Sequence, residues 1–401
     1  MKNEKLRVPK LRFEEFSGDW EEKPLGKYGK LINGLTYSPD NIVEDGLLVL
    51  RSSNIQNEQI SFEDNVYVNL NVEDEYLTHE NDILICVRNG SKRLIGKSLL
   101  IPKDLPKSTH GAFMTVFRGD SNKLISHWLK TPMFFKEVHK NLGATINSIN
   151  GSNLKKFKTF FPTSTQEQEK IASFLSSIDK KINQLSKKDE LLQNYKKAMM
   201  QKIFSQKLRF KKEDGSDYPK WEEKKLGDLT KINQGLQIAI SERLTNKIKG
   251  SYFYITNEFL KDNSEKKYFI KNPPPSVICT KDDILMTRTG NTGQVVTDVE
   301  GAFHNNFFKI NYFKNFNKKF LVYFLNLDST QKLILRYAGT STIPDLNHSD
   351  FYRLKIKLPS IEEQTKIANF LYFLDTKISK NKKVLEETQK FKKALFQKMF
   401  V

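Results

Sequence analysis

The chain has 401 residues, 38% hydrophobic and 28% charged, with Lys+Arg 66 against Asp+Glu 47 and a net charge of +19. No apolar run approaches the ~20 residues of a membrane span. Two cysteines, Cys86 and Cys279, exclude a disulfide framework and fit a reducing cytosol, and a balance this basic points to a polyanionic partner such as nucleic acid.

The N-terminus, Met1-Lys2-Asn3-Glu4-Lys5, lacks the apolar core of a signal peptide, so a cytoplasmic location is expected. Leu11-Arg12-Phe13 and Trp20-Glu21-Glu22-Lys23-Pro24-Leu25-Gly26 follow. Both recur, as Leu208-Arg209-Phe210 and Trp221-Glu222-Glu223-Lys224-Lys225-Leu226-Gly227. Glu167-Gln168-Glu169-Lys170-Ile171-Ala172 likewise returns as Glu363-Gln364-Thr365-Lys366-Ile367-Ala368. The landmarks keep their order, which marks a tandem duplication of a whole domain with its connector, not a solenoid of short repeats.

Each half reads as a mixed region of short strands followed by a long helix, an α+β organisation. The boundaries fall at 1–162 (first mixed domain with an N-terminal arm), 163–207 (first helix), 208–358 (second mixed domain) and 359–401 (second helix). Asp82-Ile83-Leu84-Ile85-Cys86-Val87 and Asp283-Ile284-Leu285-Met286-Thr287 read as buried strands, each short, apolar and ending in a polar turn. Gly111-Ala112-Phe113 matches Gly301-Ala302-Phe303, and the β-rich run Leu48–Asn54 matches Tyr252–Asn257.

Pro162 and Pro359 end extended chain, and Ser164-x-x-Glu167 and Ser360-x-x-Glu363 have capping-box spacing, in which the serine accepts from the third helical N–H and the glutamate reaches back. Apolar residues then recur at heptad spacing. They are Ile171, Leu175, Ile178, Ile182, Leu185, Leu192, Tyr195, Met199 and Ile203 in the first helix. The second offers Ile367, Leu371, Leu374, Ile378, Leu385, Phe391, Leu395 and Met399, with Asn381 and Thr388 at seam positions. A ~60 Å helix (about 40 residues at ~1.5 Å each) cannot bury its stripe on one small domain. The two stripes are therefore expected to pair as an antiparallel two-helix coiled coil separating the mixed domains, with pseudo-twofold symmetry.

Two motifs mislead. Asn272-Pro273-Pro274-Pro275 resembles the Asn-Pro-Pro-aromatic loop of amino-methyltransferases but lacks the aromatic that would stack on a flipped base. Gly90-Ser91-Lys92-Arg93-Leu94-Ile95-Gly96-Lys97-Ser98 has one residue too many for a phosphate-binding P-loop. The six histidines show no metal-ligand spacing. No catalytic constellation and no metal site is expected.

What remains is polar turn chemistry. Arg88, Asn89, Lys92 and Arg93 follow the first buried strand, and Arg288, Thr289 and Asn291 follow the second. Arg51 and Asn54, with Thr256 and Asn257, end the β-rich runs. Arginine reads guanine edges and asparagine adenine edges, so these are the candidate DNA contacts.

Taken with Leu358-Pro359-Ser360-Ile361-Glu362-Glu363-Gln364-Thr365-Lys366-Ile367-Ala368, the repeated landmarks and the domain–helix–domain–helix order resemble the specificity subunits of type I restriction–modification systems over essentially the whole chain. The resemblance implies two target recognition domains, each reading half of an asymmetric, split target in double-stranded DNA. It implies paired helices acting as a ruler and as the seat of two methyltransferase subunits, with two restriction–translocase subunits completing the complex. S-adenosylmethionine, ATP and Mg2+ would then belong to those partners, this chain being non-catalytic and binding none of them. The rival expectation is a helical protein–protein adaptor that does not touch specific DNA.

Overall fold

The computed structural model describes residues 8–142, 147–261, 264, 266–339 and 344–400. The N-terminal segment Met1–Lys5 lies outside the described residues. The chain divides into two compact units, residues 1–186 with 383–401, and residues 187–382. Both divisions fall inside long helices, Thr165–Phe204 and Ile361–Met399, so each unit owns one half of each helix.

In the first unit, strands Trp20–Pro24 and Lys158–Pro162 pair antiparallel. An antiparallel four-stranded sheet has the order Gly29–Asn33, Met114–Gly119, Ile83–Cys86, Ser98–Leu100. A mixed sheet has the order Ser108–His110, Leu47–Leu50, Tyr67–Val68, Ile42–Val43, with its first two strands parallel. The run Ile83–Cys86 is buried at every residue because both its faces are covered. Side chains alternate across a strand, so Ile83 and Ile85 enter the core that the helices close, while Leu84 and Cys86 enter the core shared with the mixed sheet.

The second unit repeats the plan. Glu222–Lys225 pairs with Lys355–Leu358. The antiparallel sheet runs Thr230–Gln234, Phe307–Tyr312, Ile284–Thr287, Val295–Val296. The mixed sheet runs Tyr268–Lys271, Ser251–Ile255, Gly301–Phe303, Ile278–Cys279, with Ser251–Ile255 parallel to Gly301–Phe303. Ile284 and Met286 again face one core and Leu285 the other.

Within the first unit, Ile171, Ala172, Leu175 and Ile178 share a core with Leu395, Phe396, Met399 and Phe400. Within the second, Met200 and Ile203 share one with Ile367, Ala368, Leu371 and Leu374. Of the expected pairing residues, Ile171, Leu175, Ile178, Leu185, Ile367, Leu371, Leu374 and Leu395 are buried, and Ile182, Leu192, Ile378 and Leu385 are half-buried. Two expected seam residues are not in the seam: Tyr195 is 49% and Phe391 53% exposed. Their neighbours Lys196 and Lys392 take the place, each with its Nζ on an aspartate, Lys196 on Asp375 at 2.5 Å and Lys392 on Asp179 at 2.6 Å. A lysine stem covers apolar surface as well as a hydrocarbon does once its ammonium has a partner. Among the described residues, no helix is long and apolar enough to cross a membrane.

The repeated sequence words meet in space. In the first unit Arg12 grips the Glu167 carboxylate with two bonds, Nε to Oε1 and Nη2 to Oε2, both 2.7 Å, while Trp20 Nε1 donates to Oε1 at 3.2 Å. In the second, Arg209 grips Glu363 at 3.2 and 2.7 Å and Trp221 Nε1 donates at 2.9 Å. Phe13 packs edge-on against Phe174, and Phe210 against Phe370. Gln168 and Gln364 donate to the carbonyls of Pro162 and Pro359. Three distant landmarks thus form one joint between mixed domain and helix, built twice. The serines cap as expected, with the Glu167 and Glu363 amides donating to Ser164 and Ser360 Oγ. The glutamates do not close the capping box. A bidentate, charge-assisted pair with arginine outcompetes a single bond to the cap amide.

His110 and His127 are buried in the first unit. Desolvation pushes both down to about 4, against Asp82 for the first and against Asp179 and Glu58 for the second, with Lys130 and Lys392 pressing His127 the same way as burial. Each imidazole is neutral when folded and takes a proton near 6.5 when unfolded. Their contribution to stability is therefore present in full above about pH 6.5 and is lost as pH falls toward about 4. Urea midpoints for this unit are expected to fall through that window, and a His110→Gln, His127→Gln double variant to lose most of the slope.

Candidate nucleic-acid interface

Two polar loop clusters crown each pair of sheets. In the first unit they are the turn after Leu50 and the turn after Cys86. Arg51 bonds Asp64 Oδ1 at 2.7 Å and the Asp64 carbonyl at 3.1 Å. Asn54 is fully buried. It accepts from the Arg51 amide at 2.8 Å and donates to the Ser61 carbonyl at 2.9 Å and Asn65 Oδ1 at 3.2 Å. The expectation that Asn54 reads a base is corrected: its amide is consumed in holding the turn. Asn89 is tied down too, donating to Ser52 Oγ at 3.0 Å and accepting from the Ser91 amide at 3.0 Å.

Arg88, Lys92 and Arg93 are exposed. Among the described residues no carboxylate pairs with any of them. Arg88 lies over the Phe113 ring, 5.7 Å from its centroid. These three are the free cations of the cluster.

The second unit is wired differently. Arg288 is engaged by Asp345, Nε to Oδ1 at 2.8 Å and Nη2 to Oδ2 at 2.6 Å, and this bond holds its pKa above the usual arginine range. Asn257 donates to the Thr289 carbonyl at 3.1 Å. Gly290, at φ +83, leaves room for that bond, since a Cβ there would stand 2.3 Å from Asn257 Nδ2. Thr256 is buried. Thr289 is half-buried and Asn291 exposed, leaving those two side chains at the surface.

The strand register also corrects the matching of the two copies. Cys86 faces Met114 and Thr287 faces Phe307. The amides of Ile149 and Leu346 then bond the carbonyls of Val87 and Arg288, and the bridges Arg88–Ser148 and Thr289–Asp345 follow. Arg288 thus occupies the place of Val87, and Arg88 that of Thr289. The two arginines are one residue out of step, which sends their side chains to opposite faces. Likewise Gly111 corresponds to His304, each bridged in parallel to Leu35 or Leu236, so Gly111-Ala112-Phe113 and Gly301-Ala302-Phe303 are not equivalent.

The sequence reading missed Asp345, Phe113 and the Arg12–Trp20–Glu167 joint. Only the last had a signal, the recurrence of all three words. Both thiols are buried, and desolvation pushes Cys86 and Cys279 up to about 11, which leaves them protonated and unreactive. Among the described residues no group of acidic, histidine or cysteine side chains could hold a metal ion.

The arrangement is that of a duplicated scaffold whose divergent polar loops stand on one repeated strand framework. The family model for the type I restriction modification DNA specificity domain matches residues 17–193 and again residues 218–389. The chain belongs to this family and carries the domain twice. It is 26% identical over 425 residues to the type I restriction enzyme MjaVIII specificity subunit of Methanocaldococcus jannaschii, with 97% of this chain and 92% of the relative covered. It is 26% identical over 390 residues to the type I restriction enzyme StySPI specificity subunit of Salmonella potsdam, with 87% and 80% covered. The solved S subunit of a type I restriction–modification system from M. genitalium has the same fold, at a TM-score of 0.63 and 18% identity over 98% of this chain and 99% of that one.

Proposed function

We propose that this chain is the non-catalytic DNA specificity subunit of a type I restriction–modification complex. Each unit reads one half of a split double-stranded target. The two long helices pair antiparallel as a coiled-coil spacer with pseudo-twofold symmetry, and they seat two methyltransferase subunits, with two restriction–translocase subunits joining them. S-adenosylmethionine, ATP and Mg2+ act in those partners. The observation that carries this reading is the double family match, at residues 17–193 and 218–389. The two loop sets differ in chemistry, free Arg88, Lys92 and Arg93 against Asp345-bound Arg288, so the two half-sites differ and the target is asymmetric.

The test is to co-express the chain with its methyltransferase subunits and map methylated adenines across a genome. A split, asymmetric motif with a fixed spacer is expected. Methylation without a motif, or none that depends on this chain, would leave the adaptor reading in its place.

The free and paired cations make separate predictions. Alanine at Arg88, Lys92 or Arg93 is expected to lower the slope of log affinity against log salt by about 0.9 each if the group meets a phosphate. Arg51→Ala is expected to change it far less, because Asp64 already neutralises that charge. Titrations of the assembled complex on a duplex at several salt concentrations check both.

A further inference from the structure

Phe113 is 56% exposed, yet it stands on rigid backbone. It lies between strands Ser108–His110 and Met114–Gly119, and its carbonyl accepts from both the Val87 and Arg88 amides, at 3.0 and 3.1 Å. That stitches its turn to the Arg88 loop. Ala112 beside it is also exposed. A large ring more than half exposed on a fixed turn leaves apolar surface wet, and burying it in a complex recovers that surface. Its rim is cationic, with the Arg88 guanidinium 5.7 Å from the ring centroid and Lys92 and Arg93 on the adjoining turn, all without carboxylate partners among the described residues.

An apolar tip with a guanidinium beside it and two more exposed cations on the adjoining turn fits a groove of DNA, phosphate outside and an apolar base edge within. The one apolar group on a base edge in the major groove is the thymine C5 methyl, and alanine and phenylalanine are its usual protein contacts. The geometry points to Phe113 as a specificity-determining residue that packs on a thymine methyl in the half-site read by the first unit. This rests on the DNA-reading function proposed above. The second unit has no counterpart, since the register places Asn306 where Phe113 stands: the Arg288 amide bonds its carbonyl as the Arg88 and Val87 amides bond that of Phe113. The contact proposed for this position is therefore confined to the half-site that the first unit reads.

The experiment uses the assembled methyltransferase complex and duplexes in which each thymine of the mapped target is replaced in turn by deoxyuridine, which removes only the methyl. With the native chain, one position in one half-site is expected to weaken binding about fourfold, the worth of one buried methyl-sized group. The Phe113→Ala complex is expected to be indifferent at that position while still discriminating in the other half-site, which also shows that it is folded. Equal sensitivity of the variant to that deoxyuridine overturns the proposal. So does the absence of any sensitive position, or a uniform loss on all probes, which would make Phe113 a wedge blind to sequence. Failure of the native complex to prefer its mapped target over random duplex would instead sink the DNA-reading function itself.

Discussion

Arg12→Ala is expected to cost the first unit about 3–5 kcal/mol, the usual loss when one member of a buried ion pair is removed. Glu167 is 1% exposed and would be left, among the described residues, with Trp20 Nε1 as its one remaining side-chain donor. The substitution also frees the Gly18 carbonyl, which Arg12 holds at 2.6 Å. Arg209→Ala is expected to do the same to the second unit but less severely, because Arg209 is already 26% exposed and water can reach the joint. The joint is a device for position more than for net stability, so an Arg12→Met, Glu167→Leu double variant is expected to cost less than either single change. Urea unfolding followed by tryptophan fluorescence can follow the units separately. Trp20 and Trp128 report the first, and Trp221 reports the second. A single variant that shifts neither transition, or a double variant worse than both singles, would refute this account of the joint.

The joint also marks where sequence reasoning succeeds and where it stops. Its three words were visible as repeats because each must meet the same two partners in both copies, and a change in any one strands a buried charge. The strands Ile83–Cys86 and Ile284–Thr287 were legible for a similar reason: apolar on both faces, they have one place to go. The loops carry no such constraint. Arg88 and Arg288 follow similar strands and look equivalent, but the hydrogen-bond register sets them one residue apart, and nothing in a polar turn announces its register. Whether an arginine there is held by a carboxylate depends on residues far along the chain, Asp345 for Arg288 and none among the described residues for Arg88. The seam error at Tyr195 and Phe391 comes from weighing hydrophobicity over spacing: alternate steps of four and three from Leu192 and Thr388 land on Lys196 and Lys392, and Asp375 and Asp179 supply the partners that hold those lysines there.

That lysine–aspartate spacing suggests how the proposed spacer can be lengthened without harm. Asp179 and Asp375 stand the same distance along the two repeats, as do Lys392 and Lys196 and, at the unit boundaries, Leu185 and Asn381. Four residues inserted after Leu185 and four more after Asn381 leave both cores and both ion pairs untouched. They add about 6 Å of helix and a net turn of about 40°. One base pair adds about 3.4 Å and a turn of about 35°, so length and rotation both fit a spacer longer by one to two base pairs. Seven residues in each helix would keep the heptad in phase and add about 10 Å with almost no net turn. Some three base pairs of extra length would then arrive with about 100° of unmatched DNA twist. A methyltransferase complex carrying the four-residue pair is therefore expected to methylate a target with both half-sites unaltered and a longer spacer, and one carrying the seven-residue pair to methylate poorly at any spacer. Methylome mapping of strains carrying each variant decides the matter. A four-residue pair that folds and keeps the original spacer would show that the helices do not set the distance between the half-sites.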